Sequence, residues 1–402
     1  MRILYFGKIC EEDLLKKKEK KQQPFFIAQY MFEKTLCDEF QSTDDLDIEI
    51  ISIYQTDYFP KDTIFFKRRN PKNSKFQYLS FINLPYLREL TYFISACIYI
   101  ILWFTKNIGQ KEKYIYSSCH FPPVSLAIVL MGRMFSLKKI VTFTDLSLFT
   151  YSGEKVNRMK LYKRILMKPY VSLVNKLQES YDGYILFSSE MNHIVNNKNR
   201  PYLVIEGIYN SQNINTKESF NKKRAIAHAG TLNKEVGIET ILEVFQKIED
   251  PTIELWLMGS GDMKDEIIKR SKADNRIKYL GFMPRNQVFE KLKEAKLLVN
   301  LRNPSDIYTK YSFPSKMFEY MASGTPVFTT KLSGIPNEYY DYLYTVETYN
   351  NELIANKVIE IIGKSDKELH QLGRQAKEFI LNEKNSSTQS KKVINFLKGI
   401  KN

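Results

Sequence analysis

Cysteine is scarce in this 402-residue chain. Cys10, Cys37, Cys97 and Cys119 lie far apart with no CxxC pair, which argues against a zinc ribbon or a disulfide scaffold and suits a reducing cytoplasm. Histidine is equally rare, with four residues and no metal-ligand spacing, so no metal is expected. A lone DxD match, Asp45-Leu46-Asp47, stands in an acidic turn before a strand and carries no weight on its own. No internal repeat is present, and low complexity is confined to the lysine cluster at 16–21, KKKEKK. The first residues, MRILYFGKIC, lack the basic, apolar, small-residue order of a signal peptide and read as a buried strand. The longest apolar run, residues 90–105 (LTYFISACIYIILWFT), is bounded by Arg88, Glu89 and Lys106. It falls short of the roughly 20 residues needed to cross a bilayer and reads as a buried or interfacial helix.

What is present suits an enzyme of two domains, since the length exceeds what one core usually serves. With 43% hydrophobic and 13% aromatic residues, neither part reads as disordered. The formal charge of +15 is unevenly spread, because residues 51–200 hold 22 Lys and Arg against 9 Asp and Glu, a net of +13. Such a surface favours anionic partners, a phospholipid leaflet or a diphosphate-bearing substrate, although a merely solvated surface fits the same count. Nucleic acid is not expected, since no recognition motif accompanies the charge. As a loop after the first strand, Lys16–Lys21 could touch lipid head groups.

Short apolar runs alternate with longer helical patterns through both halves, as in parallel sheets with helices on both faces. In the first half the expected strands are Ile3–Phe6, Ile48–Ile53, Tyr114–Ser117, Lys139–Thr142, Gly183–Phe187 and Tyr202–Ile205, with a helix over Phe25–Phe40. After Glu206-Gly207 the polar segment Ser211–Lys223 marks a boundary. The pattern restarts with strands at Ala225–Ala229, Glu254–Met258, Ile277–Leu280, Leu297–Leu301, Pro326–Thr329 and Leu343–Val346. Between them lie helices near Gly237–Lys247, Asp262–Ser271, Asn286–Glu294, Pro314–Ala322 and Asn351–Ile362. The division is therefore 1–208, 209–385 and a C-terminal amphipathic helix within 386–402, able to pack back on the first domain. Two doubly wound α/β domains, Rossmann-like and facing a central cleft, are the expected architecture, with ligands at the carboxyl ends of the strands.

Residues 310–327, KYSFPSKMFEYMASGTPV, are the most informative stretch. Pro314 suits the first helical position, Ser312 and Ser315 can bond free amides, and Gly324 with Pro326 ends the helix. A phosphate fits such a start, with Lys310 and Lys316 adding full charges, and Glu319 could take ribose hydroxyls. A well-capped buried helix with solvated lysines would read the same way.

Six pieces in order, AHAGTLNKEVGIETILEVF, LWLMGSGD, IKYLGF, LVNLRNP, KYSFPSKMFEYMASGTPV and GIPNEYYDY, resemble the glycosyltransferases of family 4. These have the GT-B fold, and the resemblance is to the branch found in bacterial surface-polysaccharide synthesis. It is strongest over residues 225–340 and looser in the first half, through SSCHFPPVSLAIVL and VTFTDLS. It implies retaining, metal-independent transfer from a nucleotide-sugar, a UDP-sugar above all, with no separate cofactor. The donor diphosphate would lie between the turn Gly230-Thr231-Leu232-Asn233-Lys234 and the 310–327 stretch. Gly230 permits close backbone approach, Thr231 offers a hydroxyl and Lys234 can neutralise the departing phosphate. Phe282 and Met283 match the loop that holds the base, while Gly259-Ser260-Gly261 serves either as a structural turn or as a donor contact.

The family's Arg is Thr231 here and its Lys is Val236, so Lys234, Arg302, Lys310 and Lys316 are the expected substitutes. Of its two glutamates eight positions apart, only the second remains, Glu319, with Tyr311 at the first and Asp306 a candidate replacement. The donor set implied is thus Gly230, Thr231, Lys234, Phe282, Met283, Arg302, Lys310, Tyr311, Ser312, Phe313, Pro314, Ser315, Lys316 and Glu319. Catalytic roles fall to His120 on the transferred sugar, Asp145 on the acceptor, Lys234 and Glu319, though a structural polar role fits His120 and Asp145 as well. The absence of a Ser/His/Asp set is no objection, since the leaving phosphate helps to accept the acceptor proton in this reaction. The acceptor implied is a lipid-linked saccharide met at the inner face of the plasma membrane. A GT-B epimerase or phosphorylase, and a non-catalytic nucleotide-sugar-binding subunit of a transferase complex, are the competing readings.

Overall fold

The computed structural model describes residues 1–11, 14, 27–67, 70–71, 75–118, 120–146, 161–210 and 222–400. The lysine cluster at 16–21 lies outside them. Two compact units result, Met1–Ile208 with Gln389–Asn402, and Tyr209–Thr388.

The first unit is built on β1 (Arg2–Gly7), β2 (Asp47–Ser52), β4 (Phe76–Tyr78), β6 (Lys113–Ser117), β7 (Lys138–Phe143), β8 (Gly183–Leu186) and β9 (Tyr202–Val204). They form one parallel sheet in the order β4-β2-β1-β6-β7-β8-β9. Strands such as β1 (RILYFG) are nearly all apolar because helices cover both faces of a parallel sheet. The helices are α1 (Ile27–Gln41), α2 (Leu87–Lys106), α3 (Pro122–Met134), α4 (Leu161–Gln178) and the single turn α5 (Asn192–Val195). A two-stranded antiparallel ribbon, β3 (Phe65–Phe66) with β5 (Phe81–Ile82), is fastened by stacking of Phe66 on Phe81 at 4.5 Å.

The second unit contains β10 (Lys223–Thr231), β11 (Glu254–Ser260), β12 (Ile277–Gly281), β13 (Ala295–Asn300), β14 (Val327–Thr330) and β15 (Tyr344–Val346). Its sheet is also parallel, in the order β12-β11-β10-β13-β14-β15. Around it lie α6 (Ile238–Gln246), α7 (Lys264–Ala273), α8 (Arg285–Glu294), α9 (Lys316–Ala322), α10 (Asn351–Gly363) and α11 (Asp366–Glu383). Counted within the unit, this is the 3-2-1-4-5-6 order of a doubly wound nucleotide-binding sheet, whose direction reverses between β10 and β13. The last helix, α12 (Ser386–Gly399), sends Val393, Ile394 and Leu397 into the core of the first unit beside β1, β6 and β8. A Cβ at Gly183 would lie 2.4 Å from Ile400 Cδ1, so glycine there lets the chain end close on β8.

Three expectations are corrected. The apolar run read as too short to cross a bilayer belongs to the 20-residue α2, which is long and apolar enough by length and composition alone. The helix placed at Pro314–Ala322 begins at Lys316, because Phe313 and Pro314 are buried ahead of it and Ser312 Oγ donates back to the Tyr308 carbonyl at 3.0 Å. Ser315 holds the cap position without a side-chain cap bond. The helix placed at Asp262–Ser271 is Lys264–Ala273, two residues further on.

At the carboxyl end of β1 the fully buried Glu33 of α1 accepts from the Lys8 amide (2.5 Å) and Gln29 Nε2 (2.8 Å). Burial pushes its carboxyl up to about 7, against those bonds and the Ser118 hydroxyl. The native state therefore holds a proton between pH 4.5 and 7 that the unfolded chain releases, so stability falls as pH rises through that window. Replacement by an uncharged side chain, Glu33→Gln, is expected to flatten this slope and to raise stability at pH 8 by about 1–3 kcal/mol. Urea denaturation of both proteins at pH 6 and 8 measures it, and parallel slopes would count against an ionising Glu33.

Candidate functional site

In the second unit the site grows from the point where β10 and β13 part. Their ladder reaches Ala227–Leu298, and beyond it side chains replace backbone pairing. His228 Nδ1 donates to the Val299 carbonyl at 3.1 Å. The Tyr320 hydroxyl of α9 accepts from the Ala229 amide (2.7 Å) and donates to the Ala229 carbonyl (2.9 Å). Both rings are buried and meet edge to face at 6.3 Å. Burial lowers His228 to about 4, so it is neutral at pH 7 and acts as a strut.

With α9 held there, Lys316 passes over Gly230, its Cγ 3.4 Å from where a Cβ would stand. Gly230 has φ 141° and its register partner Gly259 has φ 136°. A Cβ on Gly259 would fall 1.8 Å from the Gly230 carbonyl oxygen. Gly259 is therefore a structural requirement of the turn, whatever else Gly259-Ser260-Gly261 does. Gly237, at φ 88°, lets the turn after β10 rest against the Leu301 carbonyl after β13. Tyr308 OH, donating to the Glu235 carbonyl, ties the same two loops.

Charge concentrates around Glu319. Arg285 Nε on α8 lies 2.8 Å from Glu319 Oε1, and Lys316 Nζ lies 2.6 Å from Oε2. Burial pushes this carboxyl up, but Lys316 and Arg285 outweigh it and hold it below the ordinary range. Glu319 is thus an ionised acceptor at neutral pH. Arg302, just past β13, is pulled below its usual range by burial, with Tyr308 and Tyr320 opposing. Its Nε is buried with no hydrogen-bond partner, leaving a charged donor for an anion. Lys234 is exposed and pairs with Glu239 at 2.7 Å, which raises its affinity for the proton.

The remaining expected donor residues spread around this core. Thr231 is exposed at the end of β10, and Lys310 is exposed at the end of a 3₁₀ turn, Ile307–Lys310, with Tyr311 next to it. Asp306 leads into that turn. Ser312 is committed to Tyr308, and Ser315 is exposed ahead of α9. Phe313 is a core residue, packed on Phe318 (5.0 Å) and Tyr339 (5.1 Å), so with buried Pro314 it has chiefly backbone to offer a ligand. After Gly281, Phe282 stands 70% exposed, as a ring available for stacking would, while Met283 packs partly into the core.

His120 and Asp145 belong to the first unit, following β6 and β7. His120 Nδ1 lies 3.3 Å from Ser125 Oγ and its Nε2 is buried without a hydrogen-bond partner. Burial lowers it to about 4, with the Val174 backbone opposing, so it is a neutral imidazole at pH 7. Asp145 Oδ1 accepts from the Leu146 amide at 2.8 Å, and burial raises its carboxyl. Asp47 of the DxD match pairs with Arg2 at 3.3 Å at the amino ends of β1 and β2, the wrong end of the sheet for ligands.

Residues 210–379 match the family model described as glycosyl transferases group 1. The fold is GT-B. Among solved structures of low identity but full coverage, sucrose-phosphate synthase from Thermosynechococcus elongatus superposes at TM-score 0.60, with 14% identity over 100% of both chains. Anabaena HepE in complex with UDP gives TM-score 0.64, with 14% identity over 99% of this chain and 100% of that one. N-acetyl-alpha-D-glucosaminyl L-malate synthase of Bacillus anthracis is 26% identical over 165 residues, which are 39% of this chain and 41% of that protein.

Three residues of this GT-B site were not singled out from sequence: Arg285, His228 and Tyr320. A histidine inside the apolar strand AIAHAG is the one advance signal, since a buried imidazole needs a partner. Tyr320→Phe leaves the Ala229 amide and carbonyl without that partner and is expected to cost about 1–3 kcal/mol in urea denaturation. A variant as stable as the parent would show that the clamp is dispensable.

Proposed function

We infer that the protein is a retaining glycosyltransferase whose second unit holds the nucleotide-sugar. The observation that carries this is the ionised Glu319 flanked by Lys316 and Arg285 beside the glycine pair at the carboxyl end of β10, within the region that matches the glycosyl transferases group 1 model. On this reading Glu319 accepts the ribose hydroxyls and Phe282 stacks on the base. Lys316, Arg302 and Lys234 carry the diphosphate charge that Thr231 and Val236 do not. The anomeric C–O bond breaks with its electron pair passing to the diphosphate. The acceptor oxygen bonds the same carbon on the same face, and its proton passes to a diphosphate oxygen. The protein's part is placement and charge stabilisation.

The donor proposed is a UDP-sugar, with neither metal nor cofactor required. The acceptor proposed is a lipid-linked saccharide of capsule, exopolysaccharide or O-antigen type, reached from the cytoplasm at the plasma membrane, with His120 at the transferred sugar and Asp145 at the acceptor. Support comes from the net charge of +13 over residues 51–200, which suits an acceptor bearing a diphosphate on an anionic surface.

Thermal unfolding with UDP, GDP, dTDP and CMP tests the donor site, since a ligand of the native state raises Tm. One nucleotide, UDP, is expected to shift the protein, and Glu319→Ala to lose most of that shift. An equal shift in the variant would remove the ribose role. A shift with no sugar transferred to any acceptor would favour the non-catalytic subunit, the reading that Thr231, Val236 and Tyr311 motivate.

A further inference from the structure

The helix α2 is apolar on two sides. Its inner side, Tyr92, Ala96, Tyr99, Ile100 and Trp103, is buried in the first unit. Its outer side carries Leu87, Leu90, Ile94, Ile98, Ile101 and Leu102, which remain between 38 and 55% exposed. These positions recur at three- and four-residue spacing and form one stripe, about 22 Å long at 1.5 Å per residue. No charged residue occurs from Leu90 to Thr105.

A core helix does not need that outer stripe, and a spanning helix could not keep its inner one. Tyr92 OH donates to the Tyr54 carbonyl at 2.8 Å and Tyr99 OH to Gln77 Oε1 at 3.0 Å, so the inner side of α2 is fastened to the unit. The helix α3, which packs along α2 through the stacked pair Phe104–Phe135 at 4.3 Å, adds exposed Leu130 and Met134.

Charge identifies the occupant. Lys106 and Lys111 beyond the end of the stripe, and Arg133 at the end of α3, are exposed. The nearby acids are already engaged: Glu89 with Tyr58 (2.6 Å) and Arg88 (3.6 Å), Glu112 with the N-terminal ammonium (4.0 Å). Tyr86, 90% exposed ahead of α2, has the amphipathic ring that settles at head-group depth. A second copy of the chain would bring one strongly basic unit against another, whereas an anionic lipid surface meets both the stripe and the charge.

We propose that the outer face of α2, with the exposed end of α3, docks the first unit on an anionic phospholipid bilayer, the helix lying in the plane of the interface. The inference deepens the lipid-linked acceptor reading and rests on it for its purpose, while the surface itself stands on the stripe and its basic flank. The full-length protein is expected to cosediment with vesicles of phosphatidylcholine and phosphatidylglycerol at 7:3, and at least tenfold less with phosphatidylcholine alone. The double variant Ile94→Glu/Ile98→Glu, on exposed positions, should lower affinity for the mixed vesicles at least tenfold with its Tm and its UDP-induced shift unchanged. Unaltered vesicle binding by the variant overturns the proposal, as does a parent protein that binds neither vesicle. A parent that is dimeric by light scattering, with a monomeric variant, also overturns it and assigns the face to a second copy. A parent protein that binds the mixed vesicles but shows no UDP shift defeats the donor reading and leaves the docking surface standing.

Discussion

One side chain fastens helix α9 to the end of β10. Where β10 and β13 diverge, a parallel sheet leaves amides and carbonyls facing a gap, and buried backbone groups without partners are costly. Tyr320 closes that gap with a single hydroxyl that both accepts from and donates to Ala229. Because Tyr320 lies in α9, the same contact sets the helix against the end of β10. Lys316 then reaches Gly230, and Glu319 faces Arg285. A looser α9 would leave Lys316 and Glu319 present but out of place beside Gly230 and Arg285.

The charges so placed are self-compensating. Glu319 is largely enclosed, with 14% of its side chain exposed, and an isolated carboxylate there would favour its neutral form. Two cations on opposite oxygens keep it ionised. Each cation sits on its own oxygen, so the enclosed charge would keep one partner if the other turned away. Arg302, whose buried Nε has no partner, follows β13, and Lys316 passes over Gly230 at the end of β10.

Much of this fold was legible because a buried parallel strand is a short continuous apolar run. Ile3–Phe6 falls within one residue of β1 at each end and Leu297–Leu301 within two of β13. Elements that bury small residues were not. The helix α11 rests on Leu369, Gly373, Ala376, Phe379 and Ile380, and two of those five carry little hydrophobic signal. A Cβ on Gly373 would lie 2.1 Å from the Gly324 carbonyl oxygen, so the helix packs by close approach rather than by bulk. The start of α9 was misread for a different reason. Serine and proline mark helix starts statistically, but here Ser312 bonds backward to Tyr308 and Pro314 is buried ahead of the first turn. The pair Arg285–Glu319 spans 34 positions and becomes visible only when α8 and α9 are both in place.

The two units divide physical labour in a way that composition alone foreshadowed. Of the net +15, residues 51–200 hold +13, leaving +2 for the other 252 residues. Selection for solubility alone would spread charge of one sign over both units. In the second unit, two cations of the site are matched by carboxylates at contact distance, Lys234 with Glu239 and Lys316 with Glu319. In the first unit the net excess of residues 51–200 accompanies the uncharged helical stripe of α2. Unmatched charge acts over about a Debye length, roughly 8 Å at physiological salt, whereas apolar area acts on contact. On the proposal made for α2, charge would draw the first unit to an extended anionic surface and apolar burial would hold it there.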